Sequence, residues 1–95
     1  MATYKLNQDA EDDLKRLYRH GAREFGIIQA DKYFDALFER FDQLAAEPLL
    51  YQTIDEIRPG YRRSVCGAHS IYYRLNQNIV EIMRILGREN PEKHV

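Results

Sequence analysis

The sequence predicts an α+β domain of order β-α-α-β-β-β, with a helical hairpin packed on one face of a small, mainly antiparallel sheet. Three observations carry this. Apolar residues recur at helical spacing from Ala10 to Ala45 and are interrupted only near Gly26. Beyond Pro59–Gly60 the pattern changes to apolar runs of strand length. Those runs are separated by so few residues that neighbouring strands must pair directly.

Ala2–Leu6 (ATYKL) is the first strand, with Thr3 and Tyr4 favouring extended backbone. Asn7 stands where a helix N-cap belongs, and Asp9, Glu11, Asp12 and Asp13 suit the positive end of a helix dipole. Ala10, Leu14, Leu17, Tyr18, Gly21 and Phe25 then form a helical stripe that Gly26 ends. A second helix is expected from about Ile28 to Ala46, with Ala30, Tyr33, Phe34, Leu37, Phe41, Leu44 and Ala45 as its stripe and Phe38 at the edge. Glu47–Pro48 stops it. The very short connection makes the two helices antiparallel.

Residues 49–60 follow neither period and read as a loop. Tyr61–Cys66, His69–Leu75 and Ile79–Leu86 read as three strands joined by Gly67–Ala68 and Asn76–Gln77–Asn78, an antiparallel meander. The last strand carries Ile79, Val80, Ile82, Met83, Ile85 and Leu86, apolar on both faces. Two helices cover one face, so a partner protein is expected to shield part of the other. Residues 87–95 read as a polar, irregular tail that orders on binding.

The whole chain, 1–95, is one domain. It has no apolar run of the roughly 20 residues that span a bilayer and no signal-peptide core, and its single cysteine, Cys66, makes no internal disulfide. A cytoplasmic protein without membrane contact is expected. Net charge is −1, but unevenly spread. Up to Glu56 there are seven Lys/Arg against twelve Asp/Glu, a balance of −5; from Ile57 onward seven Lys/Arg face three Glu, a balance of +4. Such asymmetry bears on partners rather than on fold. No His/Cys spacing suits a metal and no Gly-rich loop suits a phosphate, so no cofactor is expected.

Three stretches resemble the ParE branch of the RelE/ParE toxin superfamily across nearly the whole chain: LNQDAEDDLKRLYRHG (6–21), RPGYRRSVCGAHSIYYRL (58–75) and IVEIMRILGREN (79–90), with EKHV at 92–95. The resemblance implies a bacterial toxin that inhibits DNA gyrase by binding and is neutralised by a ParD-like antitoxin, reaching operator DNA only through that antitoxin. Two positions depart from the pattern: Gly87 stands where a His commonly follows the last strand, and Asn90 replaces an acidic residue.

The RelE branch shares the fold but cleaves mRNA on the ribosome, which requires a base, an acid and cations on the phosphate. Four arginines, one histidine and three tyrosines in 58–75 invite that reading. Yet alternation sends Arg62 and Arg63 to opposite faces. The Tyr or His–Tyr pair typical after the last strand is replaced by Gly87-Arg88-Glu89-Asn90, and the loop that is lysine-rich in those nucleases carries Asp55 and Glu56. A pI near 6.3 argues against a ribosomal-RNA binder. His69 is read as a structural histidine and Cys66 as a small core residue; of Tyr72 and Tyr73, one is core and the other meets a partner.

The expectation is therefore a non-enzymatic toxin, with an mRNA endonuclease or a degenerate, non-toxic family member as alternatives. Expected target contacts are Arg84, Arg88, Lys93, His94 and Val95 together with a basic sheet face formed by Arg62 and Arg74. Expected antitoxin contacts are Tyr33, Phe38, Arg40, Arg62, Tyr72 and Arg74.

Overall fold

Helix α1 (Gln8–Phe25) begins where the Asn7 side chain accepts the Ala10 N–H at 3.0 Å, and it ends at Gly26. Helix α2 (Ile27–Ala46) follows at once. Gly26 alone makes the reversal: it closes α1 by donating to the Ala22 carbonyl and opens α2 by accepting from Ala30. Its φ of +89° is one that a β-carbon would resist. This computed structural model describes residues 3–87 and 91–95.

The strands are β1 (Thr3–Leu6), β2 (Tyr61–Cys66), β3 (His69–Asn76) and β4 (Ile79–Leu86), and a last helical turn, α3, spans Pro91–His94. Sheet order is β1-β4-β3-β2, with β1 parallel to β4 and the other pairs antiparallel. The helical hairpin carries the chain across one face, so the first and last strands become neighbours. The β3–β4 turn is tighter than expected: Asn76 stays in the strand, and Gln77 and Asn78 take φ of 51° and 67°. Positive φ at both central residues is the signature of a two-residue turn matched to strand twist.

The main core lies between hairpin and sheet. It holds Ala10, Leu14, Leu37, Phe41 and Leu44 against Cys66, Ile71, Tyr73, Val80, Ile82 and Ile85. Cys66 is thus a buried core residue, as its sequence context predicts.

The register explains the two-sided last strand. Tyr72 pairs with Arg84 but Tyr73 pairs with Ile82, so Met83 is an extra residue in β4. This bulge resets the alternation. Val80 and Ile82 face the helices before it and Ile85 does so after it, while Leu86 joins a second cluster.

That second cluster corrects one expectation. Ile54, Tyr61, Tyr72 and Leu86 are buried together, with Ile57, Met83 and Val95 packed around them. The far face of the sheet is therefore covered there by the chain's own 49–60 segment and by Val95, not by a partner. The segment is held along β2 through Ile54 N–H to the Tyr61 carbonyl (2.8 Å) and Arg63 N–H to the Gln52 carbonyl (3.4 Å). The expected irregular tail is likewise different over its described part: Pro91–His94 is helical and Val95 N–H donates to the Pro91 carbonyl at 2.9 Å.

Candidate partner-binding site

Arg84 is deeply engaged. Its Nε and Nη2 donate to the two carboxylate oxygens of Asp13 at 2.8 and 2.9 Å. Arg16 and the Ile85 N–H add bonds of 2.8 and 2.9 Å to the same carboxylate. Asp13 is only 3% exposed. Burial by itself would raise its pKa, but the bonds from Arg84, the Ile85 N–H and Arg16 outweigh it and hold the carboxyl below its ordinary value. A third Arg84 nitrogen, Nη1, reaches the His94 carbonyl at 2.8 Å.

Arg62 and Arg74, expected to form one basic face, lie on opposite faces of the sheet. Arg62 pairs across the ladder with Tyr73, which sits in the helix-facing core, whereas Arg74 pairs with Tyr61 of the second cluster. Directly opposed residues share a face, so the two cannot form a single contact. Arg62 donates to the Tyr51 carbonyl. Arg74 pairs with Glu81 at 2.7 Å, and Lys5 pairs with the same carboxylate at 3.1 Å. Arg74, then Lys5 and Asn76, draw the Glu81 carboxyl below its usual pKa against the opposing effect of burial.

Tyr72, expected as a partner contact, is 3% exposed in the second cluster. Both tyrosines of the Tyr72–Tyr73 pair are core residues, one for each face. Arg40 donates at 2.7 Å to both Ser64 Oγ and the Val65 carbonyl, tying α2 to the edge of β2, and it stacks on Tyr51. Phe38 is half-buried in a ring series running Tyr18, Phe34, Phe38, Phe41, Tyr4, with centroids 5.2–5.5 Å apart. Lys93 and His94 are exposed and Val95 is half-buried. Arg88 lies outside the described residues.

Tyr33 and His69, far apart in sequence, meet beside the β2–β3 turn. Tyr33 Oη lies 2.8 Å from the Cys66 carbonyl, 2.7 Å from His69 Nδ1 and 3.1 Å from the Ala68 N–H. Tyr33 has one proton, the carbonyl can only accept it and the amide can only donate. The set closes with Tyr33 donating to Cys66 and His69 Nδ1–H donating to Tyr33. A β-carbon on Gly67, whose φ is +59°, would fall 2.6 Å from the Tyr33 ring. Burial pushes the Tyr33 hydroxyl pKa up.

This pair closes one end of a largely apolar cleft of about 400 Å³ between the helices, whose walls include Leu17, Tyr18, Phe25, Ala30 and Phe34. Phe25 of this cleft is 71% exposed, and Ile27 and Ile28, which follow it in the chain, are 65% and 74% exposed. The sequence reading found Tyr33 but missed Leu17, Tyr18 and Phe25 as cleft residues. All three belong to the α1 stripe; Leu17 also packs on the main core, while Tyr18 reaches α2 through Phe34 and Asp31.

Comparison with known proteins agrees with this fold. Residues 4–91 match the family model described as the ParE toxin of the type II toxin–antitoxin system parDE. The chain is 33% identical to Toxin ParE1 of Caulobacter vibrioides over 96 residues, covering 100% of this chain and 99% of that one. It is 32% identical to Toxin ParE1 of Mycobacterium tuberculosis, covering 87% and 86% of the two chains. A solved chain of the chromosomal ParDE system of P. aeruginosa superimposes with a TM-score of 0.79 at 22% identity, covering 94% of this chain and 97% of that one. A chain of the RelBE2 toxin–antitoxin complex of M. tuberculosis does so with 0.70 at 21% identity, covering 92% and 98%. With the family model and full-length relatives in agreement, the chain belongs to the ParE toxins of type II toxin–antitoxin systems.

Proposed function

We propose that this toxin inhibits DNA gyrase by binding it, without chemistry of its own, and that a ParD-like antitoxin neutralises it. The observation that supports a binding toxin is the engagement of the sheet arginines. Arg62, Arg74 and Arg84 are directed to Tyr51, Glu81 and Asp13 of the same chain. A nuclease would need such cations free to receive a phosphate. Tyr33 and His69 are directed toward each other in the same way.

The target contact falls to the exposed Lys93 and His94 with Val95. The antitoxin docks, in this reading, on the helical hairpin, where Tyr33 lines the apolar cleft and Phe38 packs on Phe34 of its wall. An apolar segment with a few polar groups suits that surface. Both encounters take place in the cytoplasm. No helix among the described residues is long and apolar enough to cross a membrane.

Purified protein should block gyrase supercoiling and leave cleaved DNA, and stoichiometric ParD-like antitoxin should restore supercoiling. Untouched gyrase together with cleavage of ribosome-bound mRNA would refute the proposal in favour of the RelE-type activity. Inactivity in both assays, with antitoxin still bound, would identify a non-toxic family member.

A further inference from the structure

Segment 91–95 is tied to the body of the protein at His94 and at Val95. Arg84 Nη1 donates to the His94 carbonyl at 2.8 Å, and Arg58 Nη1 donates to the Val95 carbonyl at 3.1 Å. The Val95 side chain packs on the cluster of Ile54, Tyr61, Tyr72 and Leu86. Each arginine is itself fixed from behind. Arg58 stacks 5.3 Å over the Tyr61 ring, and Arg84 is gripped at two points by Asp13, 71 residues away in sequence. A buried carboxylate on α1 thus sets the direction in which Arg84 presents Nη1.

We propose that Asp13, Arg84 and Arg58 hold residues 91–95 as a preformed contact surface that displays Lys93 and His94 to the target. Asp13 and Arg58 are positioning residues that act through the segment they hold. The inference rests on the reading that this segment meets gyrase. Its physical basis is that a segment ordered on folding does not lose its conformational freedom again at the encounter, so binding is stronger for the same contacts. The opposite device, a tail that detaches and folds onto its target, would gain from cutting these ties.

Arg58→Ala and Asp13→Asn separate the two. Three quantities are measured on the full chain: amide hydrogen exchange at residues 93–95, the concentration that half-inhibits gyrase supercoiling, and affinity for the antitoxin. Losing one charge-assisted bond should speed exchange about tenfold and raise the half-inhibiting concentration by a similar factor. Antitoxin affinity should not change, whereas a general loss of structure would lower it too. Arg58→Lys, which keeps a cationic donor, should recover much of both effects. Unchanged exchange in Arg58→Ala overturns the proposal, and so does faster exchange with equal or stronger inhibition. Arg58 is exposed, so that variant decides the matter even if Asp13→Asn does not fold. If the wild-type protein leaves gyrase untouched, the target reading fails, and the exchange measurement still decides whether these residues hold the segment.

Discussion

Asp13 shows how much one side chain can be asked to do. The sequence places it among the carboxylates that open α1, where it reads as one more charge favourable to a helix dipole. Its position is more telling: Ala10, Asp13, Leu14 and Leu17 share a helical face, so the carboxylate stands inside the apolar stripe. A buried carboxylate needs a partner, and Arg84 supplies it. The folded pKa of Asp13 is depressed below the unfolded value. The pair therefore contributes fully above about pH 4 and loses its contribution as pH falls through the folded value. Asp13→Ala strands a guanidinium that is mostly buried and is expected to cost about 3–5 kcal/mol at pH 7 in chemical denaturation. The stability gap between wild type and Asp13→Asn should narrow as pH is lowered toward 3. A gap that is constant with pH would exclude this role.

Among the elements, the helices were legible because their signals are local: Asn7 caps, Gly26 reverses and the apolar stripe has one period. The β-strands were placed correctly, but their faces were not, because a face depends on register. One bulge at Met83 moves Ile85 back to the helix side, and the pairing Arg62–Tyr73 puts Arg62 on the opposite side from Arg74. The edges of the sheet differ as well. The outer edge of β2 is occupied by the 49–60 segment and by Arg40, which caps the Val65 carbonyl beside an exposed Val65 side chain. Free edge backbone next to apolar surface invites pairing between molecules. Arg40→Met leaves the buried Ser64 hydroxyl and the Val65 carbonyl without this donor, at a cost of about 1–3 kcal/mol. It should also produce concentration-dependent self-association in light scattering. A variant that stays monomeric at high concentration would show that Arg40 does not guard the edge.

Across the whole molecule, two apolar clusters are divided by one sheet, and a domain of this size has little stability to spare. The second cluster is small and is closed from outside by residues 54, 57 and 95, so removing one member should loosen the rest. Ile54→Ala is expected to cost about 2–4 kcal/mol and to speed amide exchange at residues 93–95, since Val95 packs on the same cluster. Loss of stability with unchanged exchange there would mean that the two closures are independent. The uneven charge has an internal use at this level. Asp13 of the acidic half neutralises Arg84 of the basic half, so part of the asymmetry is spent on joining hairpin to sheet rather than on attracting a partner.

The sequence by itself determined the order of elements, the helical hairpin, the meander and the family resemblance. Each of these depends on spacing between near neighbours, which a chain displays openly. Only the tertiary structure decided that Tyr72 is core, that Arg62 and Arg74 cannot act together, that the chain covers part of its own second face, and that Asp13 reaches Arg84. Those outcomes depend on strand register and on contacts between residues tens of positions apart. There a single extra residue in a strand, or one loop laid along an edge, changes which side chains meet.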